Sequence, residues 1–214
     1  MKEYVVHLSP LSSIETTLSS DTLFGALCWA IRTLYGESKL EEVLQSFHVD
    51  PPFLQSSAFP CRTQNGQTRY FLPKPKYPPL RFGELDALAQ EGREVQEARP
   101  YHSSKAKRIE VSGTYKQFRK IRWLTFELFG LIAEKGTDAE RILFVEFRKN
   151  RLTHQTRERS EGVQKNTIDR LMGSTGGAGN TFYNQETYLP SGHGLYFLLR
   201  TNNIALLAPS LRYL

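Results

Sequence analysis

Apolar positions fall at helical spacing in two parts of this chain and at strand spacing near both ends. Leu23, Leu27, Ile31 and Leu34 lie at i, i+4, i+8 and i+11 and trace one face of a helix. Ser20 or Asp21 would cap its start, and Gly36 its end. A second helix from Leu40 to Phe47 would be stopped by Pro51 and Pro52. Residues 3–8 (EYVVHL) form an opening strand ahead of both. After them, FLQSSAFPCRTQNGQTRYFLP reads as two strands around Asn65–Gly66, a dipeptide that favours a tight hairpin turn. The Pro-Lys-Pro that follows fixes an extended loop.

The other helical stretch runs from Lys116 to Lys135, with Phe118, Ile121, Leu124, Leu128, Leu131 and Ile132 as its buried stripe and Gly136 as its stop. Residues 81–113 are polar, carry charges of both signs and show little period. They are expected to be an insertion that is mobile without a partner. Residues 140–148 are mixed, 149–170 are polar and rich in arginine, and GSTGGAGN (173–180) is a flexible turn. TFYNQETYLPSGHGLYFLLRT supplies two strands joined through Ser191–Gly192, and ALLAPSLRYL opens a further helix. Strand, helix, strand, strand, helix, strand is the order of a ferredoxin-like (RRM-like) α+β layer. Many RNA-recognition domains use that layer. The aromatic signature of a standard RRM strand is absent, which counts against base stacking on the sheet face and against a free-standing single-strand RNA binder.

Charge sharpens this picture. The 214 residues carry a net +6, but residues 99–170 hold 17 Lys and Arg against 9 Asp and Glu, whereas residues 1–98 hold 9 against 12. A concentrated positive stretch suits a polyanion, because each cation that meets a phosphate releases counterions. No run of apolar residues is long enough to span a membrane, and the N-terminus lacks the pattern of a signal peptide. Cys28 and Cys61 make neither a disulfide framework nor a zinc site, so a reduced, cytoplasmic protein is expected.

Three cation groups are candidates for RNA contact. Lys74 and Lys76 lie on the rigid proline loop, where they would be held away from the core and read phosphate charge alone. Arg119, Lys120 and Arg122 lie beside the predicted core residues Phe118 and Trp123. Arg157, Arg159, Lys165 and Arg170 belong to the arginine-rich segment, where guanidinium forks can grip phosphate and stack on bases. The start of the helix at SDTLFGAL is a poorer phosphate site, since Asp21 stands in its first turn.

Catalytic chemistry has little support. GSTGGAGNT lacks the spacing and the lysine of a P-loop. The five histidines are scattered without metal-ligand spacing, so no metal or cofactor is expected. A metal-independent ribonuclease would need a general base near a 2′-hydroxyl, for which only His154, or else His102, could be nominated.

Four blocks in fixed order, SDTLFGALCWAI (20–31), SSAFP…YFLPKPKYP (56–78), FRKIRWLTFELF (118–129) and NTIDRLMGSTGGAGNTFYNQETY…GLYFLL (166–199), resemble the RAMP superfamily of CRISPR proteins. The likeness is to the type III-A interference subunit that caps the 5′ end of the crRNA beside the large polymerase/cyclase-like subunit. It implies two ferredoxin-like domains, here residues 1–150 with the insertion near 81–113, and 151–214 as a basic linker, hairpin and start of a second, incomplete domain. Such proteins usually continue into a glycine-rich loop and further strands. The resemblance also implies a non-catalytic role in antiviral defence, with crRNA, the large subunit and a backbone RAMP subunit as partners. Asn166 joins the candidate RNA contacts through the fourth block. The alternative within the superfamily is a repeat-cleaving endoribonuclease.

Overall fold

The computed structural model describes residues 1–15, 18–91, 104–149, 159–166 and 181–214. Two compact units divide it: Met1–Thr68 with Arg157–Leu214, and Arg69–Thr156. The units interleave along the chain because a late strand returns to pair with the first one.

The first unit opens with β1 (Lys2–Leu8), α1 (Ser20–Tyr35), α2 (Glu37–Ser46), β2 (Phe53–Gln55) and β3 (Phe59–Gln64). Leu23, Leu27 and Ile31 of α1 are buried as their spacing requires, whereas Leu34 is exposed and does not extend the stripe. The cap falls on Ser19, one residue earlier than predicted. Gly36, at φ +89°, ends α1 and starts α2 in one step, a left-handed conformation that glycine adopts without steric cost. Asn65 and Gly66 have φ of 51° and 75°, as a tight hairpin turn between β3 and β4 (Gln67–Pro73) demands.

The second unit contains β5 (Trp123–Thr125) paired antiparallel with Phe71–Pro73 of β4, and four helices. These are α3 (Phe82–Glu91), α4 (Ser104–Phe118), α5 (Phe126–Ile132) and α6 (Ala139–Arg148). Two expectations are corrected here. The stretch 81–113 is not wholly a coreless insertion: Leu88 of α3 and Val111 of α4 are buried. Val111, Tyr115 and Phe118 lie at i, i+4 and i+7, a stripe that runs from the expected insertion (81–113) into the expected helix (116–135). Residues 92–103 of that stretch lie outside the described residues. The single helix over 116–135 is instead the end of α4, a turn, β5 and α5. Thr125 caps α5, accepting a hydrogen bond from Leu128 N–H at 3.4 Å, so a helix start lies inside the predicted helix. The mixed residues 140–148 belong to α6, whose Leu143 and Phe144 complete this unit's core.

The chain then returns to the first unit with β6 (Arg159–Asn166), β7 (Thr181–Tyr188), β8 (His193–Thr201) and α7 (Ile204–Leu211). β8 lies between β1 on one edge and β2 and β3 on the other, antiparallel to all three. Its alternate residues Phe197 and Leu199 join Tyr4, Val6 and Phe53 against α1, α2 and α7. That antiparallel sheet backed by helices makes the fold mixed α+β. β6 and β7 form a separate ribbon paired from Arg159↔Tyr188 to Asn166↔Thr181. The two β runs around Ser191–Gly192 are thus strands of different sheets. At Gly192, φ is +77° and a Cβ would stand 2.8 Å from the carbonyl oxygen of Thr63, so the close approach of the two chain segments there requires glycine.

Candidate nucleic-acid interface

The second unit holds 18 Lys and Arg against 11 Asp and Glu, while the first holds 10 against 11. All of the protein's net positive charge therefore resides on Arg69–Thr156.

Within that unit, packing sorts the cations. At the end of α4, Phe118 and Ile121 are buried, and the turn between them is held by Lys120 N–H to Gln117 O (3.0 Å) and Ile121 N–H to Phe118 O (3.0 Å). With those two anchors inward, Arg119, Lys120 and Arg122 project into solvent. Pro73 pairs in register with Trp123, and Lys74 N–H donates to Arg122 O at 2.8 Å, which lays the proline loop beside this turn. Lys76, two residues further on, is exposed. Lys116, one turn before Lys120, is exposed as well and joins the group, although it was not singled out from sequence. Among the described residues, none of these five cations is held in an ion pair. Five solvated cations on two adjoining segments can bind a phosphate backbone without reading its bases.

Lys74 behaves differently from its neighbours. Instead of being held away from the core, it folds into it: its ammonium lies 3.1 Å from Glu140 Oε2, with both side chains less than a tenth exposed. It also stands 3.7 Å from the centroid of the Phe118 ring, a close cation–π contact. Burial pushes the Lys74 pKa below the ordinary lysine value, and Glu140 only partly offsets this. Tyr115 donates from its hydroxyl to Glu140 Oε1 at 3.1 Å and accepts Leu80 N–H at 2.8 Å, and burial raises its pKa. The aliphatic stem that makes lysine flexible also lets it thread back through an apolar layer.

Lys165, on β6, is likewise engaged. It reaches Glu15 and, at 3.1 Å, Glu186 Oε1. Glu186 Oε2 accepts from Ser13 Oγ at 2.5 Å and from Tyr188 OH at 3.1 Å, so the Glu186 carboxyl sits below its usual pKa, Ser13 being the largest cause. Arg159 and Asn166 lie at the two ends of the β6–β7 ribbon, opposite Tyr188 and Thr181. Their side chains are outside the described set, as are Arg157, Arg170, His102 and His154 altogether.

Two exposed aromatic features escaped the sequence reading. Tyr183 and Phe182 on β7 are 73% and 45% exposed, and Trp29 on α1 is 66% exposed with Arg32 at 5.4 Å from its ring. Trp29 lies off the 23/27/31 stripe, which was the available signal. A cavity of about 350 Å³ near the start of α1 is lined by Phe24, Phe47, Phe53 and Leu54 with Ser20, Asp21 and Gln55. With a carboxylate and no cation in that lining, it does not suit phosphate.

An antiparallel sheet backed by helices places the chain among mixed α+β folds. Solved structures make the match more specific. A chain in the crystal structure of a Csm1–Csm4 cassette in complex with AMPPNP superposes with a TM-score of 0.58 at 21% identity, covering 99% of this chain and 66% of that one. A chain in the Csm3–Csm4 subcomplex of the type III-A CRISPR-Cas interference complex does so with a TM-score of 0.55 at 17% identity, covering 98% and 62%. Csm4 is the component named in both, and this chain shares the fold of the chains it superposes on. It spans about two thirds of the length of the chains it matches. No protein-family model and no curated protein matches it.

Proposed function

We propose that this chain is a non-catalytic, crRNA-binding subunit of a type III CRISPR interference complex, acting in the cytoplasm in antiviral defence. It holds the repeat-derived 5′ tag of the guide and bridges the large polymerase/cyclase-like subunit to the backbone RAMP subunits. The observation that carries this reading is the cluster of Lys76, Lys116, Arg119, Lys120 and Arg122, exposed and unpaired among the described residues, on a fold shared with Csm4-containing assemblies. Within the first unit we read β1, α1, β3, β8 and α7 as a ferredoxin-like layer: β8 stands between β1 and β3, antiparallel to both, and α7 follows it. The likeness to a Csm1–Csm4 cassette and a Csm3–Csm4 subcomplex supports the two protein partners.

The nuclease alternative is tested with His154→Ala. General acid–base catalysis is typically worth a factor of about 10²–10⁴, so a ribonuclease relying on that imidazole would lose nearly all activity. Wild-type protein incubated with repeat RNA in the presence of a chelator is expected to leave the RNA intact, and the variant to retain crRNA as wild type does. Divalent-independent cleavage that disappears in the variant would overturn the non-catalytic reading.

A further inference from the structure

The buried Lys74, Glu140 and Tyr115 are attached to both segments that carry the exposed cations. Lys74 is fixed at its backbone by the 2.8 Å bond from its N–H to Arg122 O, and at its ammonium by Glu140 Oε2 and the Phe118 ring. Tyr115 reaches six residues further along the same loop, where its hydroxyl accepts Leu80 N–H at 2.8 Å while donating to Glu140 Oε1. The loop 74–80 is therefore pinned at its two ends to one buried carboxylate. Pro75, Pro78 and Pro79 restrict what lies between. Lys76 stands inside that pinned span.

We infer that Tyr115, Glu140 and Lys74 are positioning residues that hold Lys76 beside Arg119, Lys120 and Arg122, so that cations from two separate chain segments meet one single-stranded RNA backbone. This rests on the RNA-binding reading given above. A cation on a loop already ordered before binding gives up less conformational freedom when it meets a phosphate than one on a loose loop. Lys74, nominated from sequence as a phosphate contact, thus acts through Lys76. Tyr115 is the member whose loss is gentlest, since Phe keeps the ring against Phe118 and Phe144 and removes only the hydroxyl.

The test measures affinity of the full chain for a labelled oligouridylate, together with hydrogen exchange of the protein alone. Tyr115→Phe is expected to speed exchange at the Leu80 amide and to weaken RNA binding about as much as Lys76→Ala, roughly fivefold at 0.1 M salt for one phosphate contact. The double variant is expected to bind no more weakly than either single one, because both changes remove the same contact. A purely structural role for Tyr115 would instead lower the melting temperature and leave affinity unchanged well below it. Unchanged exchange at Leu80, or losses that multiply in the double variant, would overturn the inference. Weaker binding on neutralising Arg119, Lys120 and Arg122, with none from Lys76→Ala or Tyr115→Phe, would overturn it and leave RNA binding standing. No loss from any of these changes would overturn both.

Discussion

Glu140→Ala is expected to destabilise the second unit by about 3–5 kcal/mol, the usual cost of stranding a buried charge by removing its partner. Glu140 is 3% exposed and its side chain meets the Lys74 ammonium and the Tyr115 hydroxyl. Without it the ammonium keeps the Phe118 ring but no counter-charge. For a unit of this size the melting temperature should fall by more than about 12 °C. Replacing both charges with apolar residues of similar volume, Lys74→Met with Glu140→Leu, is expected to restore most of that stability, because neither charge must then be desolvated. Thermal melts of the single and double variants check this. A single variant that melts with wild type would show that the pair contributes nothing to the fold.

Neutralising Arg119, Lys120 and Arg122 together should have the largest effect on RNA. Three phosphate contacts on a single strand correspond to a slope of log affinity against log salt that is flatter by about 2, and to a loss of roughly a hundredfold in affinity at 0.1 M salt. The melting temperature should change little, since these side chains are exposed and unpaired among the described residues. Fluorescence anisotropy across a salt series reads both numbers. An unchanged slope would remove these three residues from the interface.

What sequence could show follows from which forces act locally. The Leu23, Leu27, Ile31 stripe, the Asn65–Gly66 turn and the strand at His193–Thr201 were legible because spacing and turn chemistry suffice to specify them. The helices of the second unit were harder. The α4 stripe of Val111, Tyr115 and Phe118 mixes with charged neighbours, and the capping Thr125 hides within a long apolar run. β6 is poor in β-favouring residues and gains its strand from pairing with the Thr- and Tyr-rich β7, the next strand along the chain. The basic cluster was half legible. Arg119, Lys120 and Arg122 were found by charge alone, but nothing local separates Lys76, which is solvated, from Lys74, which is buried two residues earlier. That difference depends on Glu140, 66 positions along the chain, and Lys165 depends likewise on Glu15 and Glu186.

The central claim, that this chain grips the repeat-derived 5′ tag of a guide RNA, is tested most directly by cross-linking in an assembled complex. The chain would be co-expressed with a crRNA source, its large subunit and its backbone RAMP subunit, the complex irradiated, and the RNA attached to this chain sequenced. The account predicts cross-links concentrated in the repeat-derived 5′ nucleotides, with peptides from the 74–80 loop and the 116–122 turn among the attachment points. Cross-links spread evenly along the guide, or a complex that carries crRNA without any contact to this chain, would contradict it.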